Sequence, residues 1–465
     1  MTFSSLIFIF AFLPAVLLLY GIVKPARART VIMIIASLVF YAWGNPVYVI
    51  LLILSTVFNY CVGYDLAETE RGERSRQWIF VGAVIVNLLI LGYFKYCGFL
   101  VDTVNALFKT DFAVPGLPLP LGLSFFTFKA IAWIADARSG KINPRCGLLS
   151  FAASIMMFPT ISMGPIDRMQ DIVPQIRRPD FSIANVAEGL ILFIIGLIKK
   201  VLLADNIVDL YNSFRALPAG EVSVLMAWLG MAAFAFQLYF DFSGYSDMAK
   251  GISLMFGIRT GDNFDHPYTA VSVTDFWRKW HISLSRWFRD YIYIPLGGNR
   301  VTVGRHVRNI LVVWALTGLW HGAAWTYVAW GVYYGLVLLL EKYFLMKILE
   351  KLPKPARVLY TMFIVIIGWV FFSSRSFAEA AATCGALFGG GMHALADSRA
   401  LYYLRTNLLL LVFCFLGSTA WPFRFYTWTQ KKYPVVSAVG TVLLTLLAVA
   451  FMVYSTYQPF LYAAF

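Results

Sequence analysis

Charge is what this sequence has least of: only 13% of its 465 residues are Asp, Glu, Lys or Arg. A soluble domain carries roughly twice that fraction, so an ordinary soluble enzyme and a disordered chain are both excluded. Cysteine is sparse as well. The five cysteines, at 61, 97, 146, 384 and 414, stand at least 30 residues apart, which argues against a CxxC pair, a zinc ribbon or a disulfide framework and leaves them as small hydrophobes. The phosphate loop GxxxxGK[ST], the metalloprotease HExxH, the nucleophile elbow GxSxG and the dinucleotide fingerprint GxGxxG are all missing. An ATP-driven pump or a serine hydrolase is therefore unsupported. Histidines 266, 281, 306, 321 and 393 have no metal-ligand spacing, and no metal is expected.

What the chain has instead is apolar sequence, 60% of it hydrophobic and 17% aromatic. That composition predicts an all-α polytopic integral membrane protein with roughly 11 to 13 membrane segments, some re-entrant or interfacial. No internal repeat or long linker divides it, so one membrane domain over residues 1–465 is the expectation. The net charge of +14 suits anionic lipid headgroups rather than nucleic acid. Residues 4–23 resemble a signal peptide, but the basic KPARAR run follows the apolar stretch, so a retained first helix is expected. By the positive-inside rule Lys24, Arg27 and Arg29, the loop 65–77, and Arg138, Lys141 and Arg145 lie in the cytoplasm, with the N-terminus outside.

Several polar residues are not explained by the bilayer. Residues 272–300 are too charged to span and too aromatic for a free loop. Ser272 followed by Asp275 reads as a capping box and Pro295 as a stop, predicting an amphipathic interfacial helix over 272–294. Phe276, Trp280, Leu284, Trp287, Phe288 and Tyr291 form its apolar stripe. Arg278, Ser285 and Arg289 lie opposite, with Lys279 and Arg286 beside them and His281 on the boundary. A plain lipid anchor reads equally well. A second histidine, His321, falls inside the apolar run 309–328, where an imidazole needs a partner or a water-filled cavity. Trp314, Thr317, His321 and Trp325 would share one face of that helix, and Gly318 and Gly322 would admit a close neighbour. A structural histidine or a transport pathway remains open on these grounds. Gln237, Asp241, Ser243, Tyr245, Ser246 and Asp247 crowd a span end, where a cap, a cation partner or a proton path would each fit.

Taken together, FYAWGNP (40–46), GLSFFTF (122–128), FQLYFDFSGYSDMA (236–249), NFDHPY (263–268), VTDFWRKWHISLSRWFRDYIYIPLGGNR (273–300) and LTGLWHGAAWTYVAWGVYYG (316–335) resemble the membrane-bound O-acyltransferase superfamily. The nearest branch is the bacterial alginate O-acetylation family, and the likeness is densest over 236–335. SFFTFKAIAWIADARSG and MFPTISMGPIDR are closer to the D-alanyl transfer proteins of teichoic acid.

The resemblance implies a funnel on each side of the membrane, meeting at a tunnel that holds the family histidine, which maps onto His321. His281 matches the second functional histidine of the bacterial branch. Trp277, Arg278, Lys279, Arg286 and Arg289 would face an anionic donor at the cytoplasmic mouth. Trp314, Thr317, Gly318, Trp320, Trp325, Gln237, Asp241, Ser243 and Tyr245 would line the tunnel. No permanently bound cofactor is implied. The donor would be acetyl-coenzyme A or an acyl-carrier-protein thioester, and the acceptor an extracytoplasmic glycan hydroxyl or a secreted SGNH-type acyltransferase, at the bacterial cytoplasmic membrane. His321 would be the general base, since burial disfavours a charged imidazole. A transporter or flippase with His321 and Asp241 on its path is the rival from another class, although it lacks the expected inverted repeat. An inactive scaffold for a secreted acyltransferase is a third.

The charge pattern makes a topological prediction. Single cysteines placed at Arg76 and Arg286 should react with membrane-impermeant maleimide only after the cells are opened. Labelling of both in intact cells would invert the orientation.

Overall fold

An apolar chain in lipid must satisfy its backbone hydrogen bonds internally, and helices do this within one segment. The computed structural model describes residues 1–67, 71–116, 118–143, 146–390, 394–454 and 460. Arg145, His393 and part of the 65–77 loop lie outside the described residues. Among those described there is no β-strand, only one isolated bridge between Phe264 and Trp280. The protein is an all-α, multi-pass membrane protein. Seven helices are long and apolar enough to cross a bilayer: Ala26–Gly44, Pro46–Ala67, Glu73–Phe108, Val224–Met255, Lys354–Ser373, Ser398–Gly417 and Pro434–Tyr454. Other expected spans are shorter or more polar helices, among them Leu123–Arg138, Ile183–Ile198, Val303–His321 and Trp325–Leu340.

The helices gather into two compact units, Met1–Phe193 with Tyr245–Asp262, and Ile194–Gly244 with Asn263–Phe465. In the first, helix Leu123–Arg138 is buried along nearly its whole length. Trp133 donates its indole N–H to the Asn59 carbonyl at 3.0 Å, and Asn59 and Asn87 exchange side-chain amide hydrogen bonds at 3.1 and 2.8 Å. At one end Arg138 pairs with Glu73 at 2.6 Å, and Arg76 donates to the Leu66 and Arg138 carbonyls at 2.9 Å. Basic side chains there close the helix ends onto each other.

The second unit holds most of the polar residues singled out above, and two of its elements differ from expectation. The segment 272–294 is not one helix. It comprises Val273–Lys279 and Ile282–Phe288, followed by a wider turn, Arg289–Tyr293, and the break falls on His281 with φ 45°. The apolar residues Phe276, Trp280, Leu284, Trp287 and Phe288 are buried nonetheless. Ser272 caps the first helix by accepting from the Asp275 N–H at 3.0 Å, as its spacing predicts.

The run 309–328 also breaks. One helix ends at His321 and the next begins at Trp325, so His321 closes a helix instead of sitting at its middle, and Trp325 is 53% exposed off the predicted face. The two helices pack side by side through glycine. A Cβ on Gly318 would run into the Tyr327 carbonyl and stand 3.2 Å from Gly331 Cα, while one on Gly331 would meet the Trp314 carbonyl.

Gly318→Leu or Gly331→Leu should therefore push the helix pair apart, at a cost of roughly 1–3 kcal/mol or more. Gly304→Ala, in open space on the same helix, is the control. The expected result is loss of monodisperse protein on gel filtration for the first two variants only.

Candidate active site

Three stretches of the second unit converge on a cavity of about 540 Å³. From 273–293 come Thr274, Trp277, Arg278, His281, Leu284, Ser285, Phe288, Arg289 and Tyr293; from helix Val303–His321 come His306, Ile310, Val313, Trp314, Thr317 and His321; Leu338, Lys342 and Met346 complete it. Among the described residues the lining contains Arg278, Arg289 and Lys342 and no Asp or Glu. Such a surface holds net positive charge against low-dielectric walls and attracts anions. Arg278 is exposed and, among the described residues, has no hydrogen-bond or ion-pair partner on its side chain. Arg289 is paired with Asp290 at 2.9 Å.

Both histidines are nearly sealed, His281 at 1% and His321 at 2% exposure. Aromatic rings orient them. His321 packs edge-on to Trp320 and Trp330, each at 4.9 Å between centroids, and to Phe372 at 5.4 Å. His281 packs edge-on to Phe242 at 4.7 Å and to Trp320 at 5.9 Å, so one indole touches both imidazoles. His281 lies outside the seven spans, and burial lowers its affinity for a proton, leaving the ring neutral. Trp277 stands against Trp314, Trp330 and Tyr334 at 4.7 to 5.5 Å, forming an aromatic wall.

The structure thus brings together Trp277, Arg278, His281, Arg289, Trp314, Thr317 and His321, with Trp320 packed behind them. It does not bring in the rest. Lys279 is paired with Asp275 at 3.0 Å, and Arg286 is half-buried off the cavity lining. Gly318 is spent on helix packing, and Trp325 faces outward. Asp241 is engaged elsewhere, in a buried cluster where Lys200 reaches Asp241 at 2.6 Å and Asp205 at 2.7 Å. Gln237 and Ser243, on the same helix, do not line the cavity, and Tyr245 belongs to the first unit, hydrogen-bonded to Ser162.

Sequence reasoning missed four participants: Glu341, His306, Lys342 and Asn263. Glu341, fully buried, accepts from the Val273 and Thr274 N–H groups at 2.6 and 2.9 Å and from the Thr274 hydroxyl at 2.8 Å. It places a carboxylate at the N-terminus of helix Val273–Lys279, where the helix dipole favours negative charge. His306 joins Tyr343 at Nδ1, 2.9 Å, and Tyr293 and Lys342 at Nε2, 3.1 and 3.0 Å. An ammonium can only donate, so Nε2 accepts and Nδ1 carries the hydrogen. Asn263 holds His281. The one signal for Glu341 and Lys342 is a charged pair directly after a sixteen-residue apolar helix.

Three buried histidines, His281, His306 and His321, and three cations line this cavity of the second helical unit. By comparison with known proteins the chain belongs to the membrane-bound O-acyltransferase family, whose profile, MBOAT, it matches over residues 138–378. It is 41% identical to the probable alginate O-acetylase AlgI of Azotobacter vinelandii over 402 residues, 85% of this chain and 80% of that protein. It is 36% identical to the peptidoglycan O-acetyltransferase of Helicobacter pylori, covering 81% and 78% of the two chains. The teichoic acid D-alanyltransferase of Bacillus subtilis is more distant, at 29% over 66% and 80%. The protein is an acyltransferase, which sets aside the transporter alternative.

The buried cap yields a stability prediction. Glu341→Ala leaves two helix N-terminal N–H groups and the Thr274 hydroxyl without their acceptor, so it should destabilise the protein by roughly 1–3 kcal/mol. The exposed Glu350→Ala should change it by less than about 0.5 kcal/mol. Unfolding midpoints of detergent-purified protein measure both.

Proposed function

We propose that this chain takes an acetyl group from an anionic thioester at the cytoplasmic face of a bacterial inner membrane and passes it to a hydroxyl outside. The acceptor is an envelope glycan or a secreted partner acyltransferase. The observation that carries this reading is a cavity shared by His281 and His321 whose only charged lining groups besides the histidines are cations. Names of the relatives support the reaction class: they are O-acetyltransferases of alginate and peptidoglycan.

In the proposed chemistry His321 accepts the proton of the acceptor hydroxyl as its oxygen attacks the thioester carbonyl. The tetrahedral oxyanion collapses, the C–S bond breaks, and the departing thiolate takes the proton back from the imidazolium. Acetate ends as an ester and the donor as a free thiol. Arg278, which has no side-chain partner among the described residues, is the group best suited to bind the donor's phosphate, and Arg289 and Lys342 add to the field.

A D-alanyl thioester is the alternative acyl donor, supported by the teichoic acid D-alanyltransferases among the relatives. Its ammonium would sit beside the reacting carbonyl, and a buried ammonium needs a carboxylate partner. The cavity lining supplies none, which favours an uncharged acyl group.

His321→Ala should lower transfer by roughly 10²- to 10⁴-fold, the usual contribution of a general base, while donor binding survives. Arg278→Glu should raise the KM for donor by roughly tenfold or more, and the loss should shrink as salt is added. Ester-linked acetate and D-alanine on envelope glycan from cells with and without the gene distinguish the two acyl groups. Full esterification by His321→Ala at equal expression would favour a scaffold over an enzyme.

A further inference from the structure

Resting on the reading that His281 takes part in acyl transfer, we propose that Asn263 is a positioning residue that holds His281 in one neutral tautomer, with hydrogen on Nδ1 and the lone pair on Nε2. Nothing in the composition or spacing of the sequence marks Asn263, which lies 18 residues before the histidine it serves.

The geometry permits one assignment. Asn263 Oδ1 accepts from the Ser283 backbone N–H at 3.2 Å and from the Ser283 hydroxyl at 2.9 Å. A backbone N–H can only donate, so the atom facing it is the amide oxygen and the amide cannot be turned over. The same oxygen stands 3.1 Å from His281 Nδ1. That nitrogen must therefore carry the hydrogen, and the basic nitrogen of the neutral ring is Nε2.

The backbone is built around this contact. His281 sits at φ 45° and ψ 55°, a left-handed conformation uncommon for a residue with a side chain. It is held there from both sides: Ile282 N–H donates to the Asn263 carbonyl at 3.0 Å, Asp265 N–H donates to the Lys279 carbonyl at 3.0 Å, and Phe264 bridges to Trp280. Local strain held by a dedicated loop is characteristic of functional positions.

The choice of amide over acid is also informative. Asn263 is buried, and among the described residues its Nδ2 has no hydrogen-bond partner. An aspartate would accept the same three hydrogen bonds and leave no orphaned donor. Its charge, however, would place a buried anion in the site and raise the affinity of His281 for a second proton. The amide keeps the geometry without the charge. Among the described residues Phe242 and Trp320 pack on the ring, and the ionisable groups on the same cavity are Arg278, Arg289, Lys342, Tyr293, His306 and His321. Asp265, on the holding loop, is exposed and paired with His266.

The test is the pH dependence of donor thioester consumption by the purified full chain, with acetyl-coenzyme A and a thioester-loaded carrier protein as the donors tried. In Asn263→Asp the carboxylate raises the His281 pKa, so activity that needs a neutral ring is lost below the raised value and returns above it. The acid limb should move to higher pH by roughly 1–3 units, with activity recovered above it. Asn263→Leu should lower kcat across the whole range with little change in KM for donor. Ser283→Ala, which removes one donor to the same oxygen but leaves the histidine contact, should resemble the wild type. Asn263→Asp is nearly isosteric and carries the test even where Asn263→Leu fails to insert. A wild-type pH profile in Asn263→Asp, at equal insertion, would overturn the proposal. Wild-type transfer by His281→Ala would instead overturn the reading on which it rests.

Discussion

A helix can be interrupted in apolar surroundings only where other groups take up the backbone N–H and C=O that the break releases. His281 and His321, two of the three histidines that line the cavity, sit at such interruptions. At His281 the released groups are met by the strand-like segment 263–265, through the Ile282, Ser283 and Asp265 N–H contacts. At the start of helix Val273–Lys279 they are met by the Ser272 hydroxyl and by the carboxylate of Glu341, which lies 67 residues away from Thr274. His321 ends its helix, and the chain re-enters a helix at Trp325 after a short extended passage. A histidine at a break is positioned by the loop that repairs the break, which is a firmer constraint than a rotamer on a continuous helix.

The same arrangement separates two electrostatic tasks. Inside the cavity the charged groups are cations, and every carboxylate near it is occupied by structural donors: Glu341 by backbone N–H groups, Asp275 by Lys279, Asp290 by Arg289. Arg278 is exposed and has no side-chain partner among the described residues. Asp241 belongs with Lys200 and Asp205 in a separate buried cluster, where pairing offsets the cost of taking charges out of water. Placement of acids thus decides which basic groups are available to a substrate as much as placement of bases does.

Much of this was legible from the chain alone. A 60% apolar composition with 13% charge dictated a membrane protein, and its long continuous apolar runs a helical one, because the closed barrel, the other arrangement that pairs every backbone group in lipid, is built from short alternating strands. Ser272 and Asp275 announced a helix start, and a small-residue pattern at Gly318 announced a close helix contact, since capping and steric access are local properties. The cation-rich 278–289 segment and the two histidines stood out because polar groups in apolar sequence need a reason. Tertiary structure alone decided which of them meet. Asn263, Glu341, His306 and Lys342 act through partners 13 to 68 residues distant, and helical periodicity cannot see such contacts. The helical wheel drawn through 272–294 kept the right residues buried but missed the break at His281, and the wheel through 309–328 carried Trp325 onto a face it does not share. Both errors have one cause: a periodic pattern assumes a continuous helix, and whether a helix continues depends on whether a distant side chain or loop is there to receive its freed backbone groups.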